Sequence, residues 1–192
     1  MVKSIGKKID TAVFISGSGS NLNSIIKNSL KKKFPIKISL VISNNKNAYG
    51  INYAKNNKIK LEIIDTKNTI NFERKTLIIL KKNNIKLICL AGFMKILSSK
   101  FIKDFKYKIL NIHPSLLPCY KGLNTHKRVL KNKEKFSGCT VHYVTDKFDS
   151  GKIILQKRVR IIRTDNEKTL KKKILKIEHF LYPKAIKVAL KN

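Results

Sequence analysis

The fold is decided by the stretch Thr11-Ala12-Val13-Phe14-Ile15-Ser16-Gly17-Ser18-Gly19-Ser20-Asn21-Leu22. Its first part, Thr11 to Ser16, is a short apolar run of strand length. A Gly/Ser loop follows and opens an amphipathic stretch from about Asn21 to Leu30. Glycines let the backbone approach a ligand closely, and the first turn of a helix presents free N–H groups with a partial positive charge. A strand, a small-residue turn and a helix in this order make an anion site, most simply for a phosphate. The Gly-Lys-Ser/Thr ending of a Walker loop is missing, and Leu22 stands at the third glycine position of a dinucleotide fingerprint. The same stretch is also an ordinary strand-to-helix turn with Ser20 or Asn21 as N-cap, so by itself it leaves phosphate binding open.

Outward from this stretch the same alternation recurs. Ile36 to Ser43 is a β-branched run, and Ala48 to Asn57 carries a helical pattern. Leu61 to Ile64 is short and strand-like, and Asn71 to Lys82 has helical spacing. Lys86 to Ala91 is a continuous apolar run suited to a strand buried on both faces, and Lys108 to Ile112 and Gly138 to Val144 read the same way. Ile153 to Arg160 alternates as a later, antiparallel candidate strand. Asn166 to Leu190 has helical periodicity, which Pro183 is expected to interrupt. Strands alternating with helices imply crossover units, hence an α/β, Rossmann-like, open and mostly parallel twisted sheet with helices on both faces. Ligands in such sheets bind beyond the carboxyl ends of the strands, so the loops after strands are where chemistry belongs.

Composition bounds the rest. The chain has 192 residues, 42% of them hydrophobic and 28% charged, which suits one soluble domain with its own core. No apolar run is long enough for a membrane span. Residues 1–10 are basic and lack the apolar core and cleavage site of a signal peptide, so a cytoplasmic location is expected. Cys89, Cys119 and Cys139 have neither metal-ligand nor redox spacing and read as reduced thiols; no metal is expected. The formal net charge is +32, which by itself points to nucleic acid. The lysines, however, are spread along the whole chain, and arginine is confined to Arg74, Arg128, Arg158, Arg160 and Arg163. Abundant Asn and Ile accompany the lysines, the pattern of an AT-rich coding bias. No specific nucleic-acid partner is expected; the positive field still speeds encounter with anionic substrates.

Two further loops carry chemistry. In Leu110-Asn111-Ile112-His113-Pro114-Ser115-Leu116-Leu117-Pro118, Asn111 and His113 stand two apart at the end of a strand, with side chains on the same side. An amide can donate to a developing oxyanion, and a histidine can move protons near neutral pH. In Thr145-Asp146-Lys147-Phe148-Asp149-Ser150-Gly151, a carboxylate could orient that histidine, or simply cap the loop.

With these loops go the runs AGFMKILS (Ala91 to Ser98), VTDKFDSGKIILQ (Val144 to Gln156), VISNNKNAYG and EHFLYP (Glu178 to Pro183). In their order and content the chain resembles the glycinamide ribonucleotide formyltransferases, from about residue 11 to about residue 187. NIHPSLLP with a downstream D-x-G is shared by a wider group of formyltetrahydrofolate enzymes, and the SGSGSNL loop narrows the resemblance to the ribonucleotide branch. The resemblance implies one formyltransferase domain over residues 1–192, with a phosphate-binding half at about 1–100 and a folate and catalytic half at about 101–192.

It further implies transfer of the formyl group of 10-formyltetrahydrofolate, a co-substrate, to the amine of glycinamide ribonucleotide in purine biosynthesis. The runner-up is another amine acceptor on the same fold. Asn111 and His113 would stabilise the oxyanion and Asp149 would orient His113. Gly19, Ser20 and Asn21 would hold the phosphate and Glu178 the ribose hydroxyls. Met94, Lys95, Ile96 and Leu97, with Thr145 and Asp146, would face the pterin. Three departures from the family pattern stand out. Leu175 replaces a polar or basic phosphate contact, with Lys173 or Lys176 as substitutes; Asn124 replaces a common histidine; and Lys121 replaces a common proline.

Overall fold

The computed structural model describes residues 7 to 191; residues 1–6, which belong to the segment read above for a signal peptide, lie outside the described residues. The contacts divide the chain into two compact units, one ending at Ile109 and one beginning at Leu110.

The first unit opens with β1 (Ile9–Ile15), whose Ala12 to Ile15 are completely shielded from solvent. It continues through α1 (Ser20–Ser29), β2 (Ile36–Ser43), α2 (Gly50–Asn56), β3 (Lys60–Ile63), α3 (Thr69–Lys82), β4 (Leu87–Leu90) and α4 (Ser99–Phe105). α1 turns Leu22, Ile25 and Ile26 inward, the one-sided stripe that its 3.6-residue spacing predicts. β1 pairs in parallel with β2 and with β4, and β2 pairs in parallel with β3. All four residues of β4 are buried; because neighbouring side chains point to opposite faces, the strand is covered on both. Asn68 caps α3 by accepting from the Asn71 N–H at 2.9 Å.

The second unit contains most of β5 (Lys108–His113), then α5 (Thr125–Lys131), β6 (Phe136–Tyr143), β7 (Ile153–Arg160) and α6 (Glu167–Ala189). β6 is antiparallel to β5, and β7 is antiparallel to β6. The seven strands run in the order β3-β2-β1-β4-β5-β6-β7, a mostly parallel α/β sheet. α6 starts with a capping box, in which Asn166 and Thr169 satisfy each other's backbone N–H groups.

Three points depart from the sequence reading. The helix expected to be interrupted at Pro183 runs through it to Ala189. Leu181, Tyr182, Pro183, Ala185, Ile186 and Ala189 are all buried, and the Tyr182 hydroxyl donates to the Leu110 carbonyl at 3.0 Å. Burial at about 1.5–3 kcal/mol per large apolar side chain outweighs the roughly 3 kcal/mol that an interior proline costs. The direction of β6 was not read, because a doubly buried strand looks the same either way along the chain. The helices α4 and α5 span seven residues each, too short for an apolar period to show. Among the described residues no helix is long and apolar enough to cross a membrane.

Candidate active site

β5 delivers Asn111 and His113 as the period of two requires, and both side chains meet Asp149. The His113 Nδ1 lies 3.2 Å from the Asp149 Oδ2, and the Asn111 Nδ2 donates to Oδ1 at 3.5 Å. The other nitrogen of the His113 ring, Nε2, is 2.9 Å from the Tyr120 carbonyl. A carbonyl only accepts, so that nitrogen carries hydrogen. Both ring nitrogens thus face acceptors, an arrangement that a ring with two N–H groups satisfies. His113 is 6% exposed and Asp149 8%, so water does little to screen the pair.

Asp149 is held by main chain as well. The Gly122 N–H donates to its Oδ2 at 3.0 Å. Its own backbone sits at φ 44, in the left-handed region that non-glycine residues rarely enter. Two residues on, a Cβ on Gly151 would lie 1.8 Å from the Tyr143 carbonyl oxygen. Only glycine fits there, which explains the D-x-G spacing of the motif.

His142, noticed in the sequence only as part of a strand, completes the cluster. It is 2% exposed, its Nε2 lies 3.2 Å from the Asn111 amide nitrogen, and its Nδ1 lies 2.9 Å from the Tyr143 carbonyl. The amide donates to Nε2 and Nδ1 donates to the carbonyl, which assigns the neutral tautomer. Burial pulls this histidine below its ordinary value of 6.5, against the opposing effects of the Tyr143 carbonyl and Asp149. The register pairs Asn111 with His142, and His113 with Thr140. Thr140 Oγ1 donates to the Ser115 carbonyl at 2.6 Å and accepts from the Leu117 N–H at 3.1 Å. Gln156 Nε2 donates to both the Leu117 carbonyl and Thr140 Oγ1. These bonds stiffen the loop after His113. His142, the Tyr120 carbonyl and the Gly122 N–H escaped sequence reading because an antiparallel pairing and a main-chain bond leave no residue signature.

In the first unit the loop that starts at Ser16 ends at Gly19, which N-caps α1 at φ 69. A Cβ there would stand 2.4 Å from the Gly50 Cα, so the turn packs backbone on backbone. The Gly50 N–H donates to the Gly17 carbonyl at 3.0 Å. Ser20 begins α1 and Asn21 is buried, 7% exposed, on its first turn. The AGFMKILS run leaves Met94, Lys95 and Ile96 exposed and Leu97 buried.

In the second unit Thr145 and Asp146 are exposed, with Thr145 Oγ1 donating to the Lys147 carbonyl at 3.3 Å. Glu178 is 4% exposed on α6, and its charge, after burial, helps push the Cys139 thiol up to about 12. Lys173, a substitute contact for the place of Leu175, is already engaged by Asp165 at 2.7 Å, while Lys176 is exposed. Asn124 takes φ 56 as the N-cap of α5, a conformation that Asn tolerates better than most residues.

Chemically, the Asp149 cluster offers an amide donor, an imidazole N–H and a buried carboxylate within one hydrogen-bonded group. That is the equipment for stabilising a developing oxyanion and moving a proton.

Comparison with known proteins identifies the family. Residues 9–186 match the family described as formyl transferase. Phosphoribosylglycinamide formyltransferase of Haemophilus influenzae is 43% identical over 184 residues, covering 94% of this chain and 86% of the relative. The trifunctional purine biosynthetic protein adenosine-3 of Homo sapiens is 39% identical over 185 residues; the match covers 95% of this chain but spans 18% of that protein's length. The crystal structure of phosphoribosylglycinamide formyltransferase from Brucella melitensis has a TM-score of 0.89 at 39% identity, over 94% of each chain. The chain belongs to the formyl transferase family, in the group of the phosphoribosylglycinamide formyltransferases.

Proposed function

We propose that the chain transfers the formyl group of 10-formyltetrahydrofolate to the amine of glycinamide ribonucleotide. The observation that carries this reading is the convergence of Asn111 and His113 on the buried carboxylate of Asp149. The substrate amine attacks the formyl carbon and a tetrahedral intermediate with an oxyanion forms. The Asn111 amide and the His113 Nδ1–H, both facing Asp149, share their hydrogens between that carboxylate and the oxyanion. Asp149 holds His113 in orientation and supports proton transfer from the attacking amine to the departing folate nitrogen. No covalent intermediate with the protein is required.

In this reading Gly19, Ser20 and Asn21 hold the phosphate, and Glu178 holds the ribose hydroxyls. Met94, Lys95, Ile96 and Leu97, together with Thr145 and Asp146, contact the pterin. The chain works as a single formyltransferase domain, in the cytoplasm, on two small-molecule substrates. The N-terminus of α1, with its partial positive charge, and the positive net charge both favour an anionic substrate.

The test is a formyl-transfer assay with both substrates, run beside His113→Ala and Asn111→Ala. Transfer by the native chain and a large loss in both variants supports the reading. A folded but inactive native chain rejects glycinamide ribonucleotide as acceptor and directs the assay to other amines.

A further inference from the structure

Glu73 sits on α3 and is 8% exposed, and no part of the mechanism above uses it. Its two carboxylate oxygens are spent on one residue. The Ser98 N–H donates to Oε1 at 2.7 Å and the Ser98 hydroxyl donates to Oε2 at 2.5 Å. Among the described residues no lysine or arginine forms an ion pair with it. Burying a carboxylate is costly unless charge-assisted hydrogen bonds offset it.

Capping alone does not explain this arrangement. Ser98 already caps α4, accepting from the Phe101 N–H at 3.0 Å, and a serine needs no carboxylate for that. What the carboxylate adds is a two-point grip on Ser98, through its backbone N–H and its hydroxyl together, which sets the peptide plane where the run Gly92 to Leu97 ends. The opposite end of that run is held by Ser16, whose N–H donates to the Gly92 carbonyl at 3.1 Å and whose hydroxyl accepts from the Met94 N–H at 2.8 Å. Between the two anchors the Phe93 ring packs against Phe14 and against Phe72, the neighbour of Glu73 on α3. Met94 and Ile96 remain 66% and 68% exposed, large apolar side chains turned to solvent rather than to the core.

We propose that Glu73 is a positioning residue for the formyl donor: through Ser98 it holds Met94 to Leu97 in the conformation that receives the pterin. The proposal rests on the reading of those residues as the pterin contact. Ser16 cannot isolate the effect, because it also begins the candidate phosphate loop. Glu73 touches only the exit of the donor run. Glu73→Gln keeps the size of the side chain but turns one acceptor into a donor that faces a donor.

The experiment measures KM for 10-formyltetrahydrofolate, KM for glycinamide ribonucleotide and kcat in the native chain, Glu73→Gln, Ser98→Ala and Ser98→Thr. Equilibrium binding of tetrahydrofolate adds a readout that needs no turnover. Glu73→Gln and Ser98→Ala are expected to raise the donor KM and weaken tetrahydrofolate binding by about tenfold. The ribonucleotide KM stays close to native, and Ser98→Thr, which keeps the hydroxyl, restores donor binding. An unchanged donor KM in folded Glu73→Gln, or equal movement of both KM values, overturns the proposal and leaves the formyl-transfer reading standing. A native chain that neither binds tetrahydrofolate nor transfers formyl overturns that reading and this proposal together. If Glu73→Gln does not fold, Ser98→Ala decides by the same comparison of the two KM values.

Discussion

The loop that starts at Ser16 and the Asp149 cluster are built from opposite materials. The loop is main chain: a glycine at positive φ, a helix end and a backbone packed directly on Gly50. The cluster is side chain: Asn111, His113, His142 and Asp149, brought from two strands and a loop to one carboxylate. A main-chain site is intolerant of added volume and indifferent to most side-chain chemistry. A side-chain site is intolerant of losing one polar atom. The two regions should therefore fail in different observables.

The largest effect belongs to the cluster. Asn111→Ala, His113→Ala and Asp149→Asn are each expected to lower kcat for formyl transfer on the order of 10²–10³-fold, with smaller changes in the KM for the ribonucleotide. Steady-state kinetics checks this, and a loss confined to KM would break the distinction between the regions. Next comes Gly19→Ala. Its new methyl would stand 2.4 Å from the Gly50 Cα, on a backbone at φ 69. Overpacking of this kind costs about 1–3 kcal/mol, to be read as a lowered thermal midpoint, and the KM for the ribonucleotide should rise more than kcat falls.

A third experiment sharpens the comparison through pH. Burial lowers His142, and burial with Lys171 nearby lowers His126, both from an ordinary 6.5. Above that value both residues are neutral in the folded and unfolded chain, and neither affects stability. As pH falls through 6.5 the unfolded chain takes up protons first, so stability declines until the lower folded values are passed. Urea unfolding between pH 8 and 5 should show this decline, and His142→Gln should lessen it. A decline that His142→Gln leaves untouched assigns it elsewhere. The smallest effect concerns the thiols. Cys119 is exposed, Cys89 is buried, and burial pushes the Cys139 thiol up to about 12. A thiol reagent at pH 8 should label one cysteine quickly and the other two only on unfolding. Fast labelling of Cys139 would show that β6 opens readily.

The same contrast explains what the sequence disclosed. Ile36 to Ser43 and Ile153 to Arg160 were legible to the residue, because long β-branched or alternating runs impose the strand period. The Gly/Ser loop was legible because glycine spacing reports main-chain geometry directly. Asn111 and His113 were legible as a pair at a strand end, and Asp149 through its D-x-G. His142 was not, since its place depends on which residue β6 sets opposite Asn111. Pro183 misled because a local rule about one N–H was overridden by burial along a whole helix face.

The terminal position of β7 in the strand order bears on colloidal behaviour. An edge strand offers a row of unpaired backbone groups on which a neighbouring molecule can extend the sheet. β7 is eight residues long, so the hazard is real, but it exposes Lys157, Arg158 and Arg160. Two such edges repel one another. That repulsion is screened beyond about 8 Å at physiological salt and over shorter distances in stronger salt. The cationic side chains along β7 thus guard the chain against clumping, and they do so best in dilute buffer.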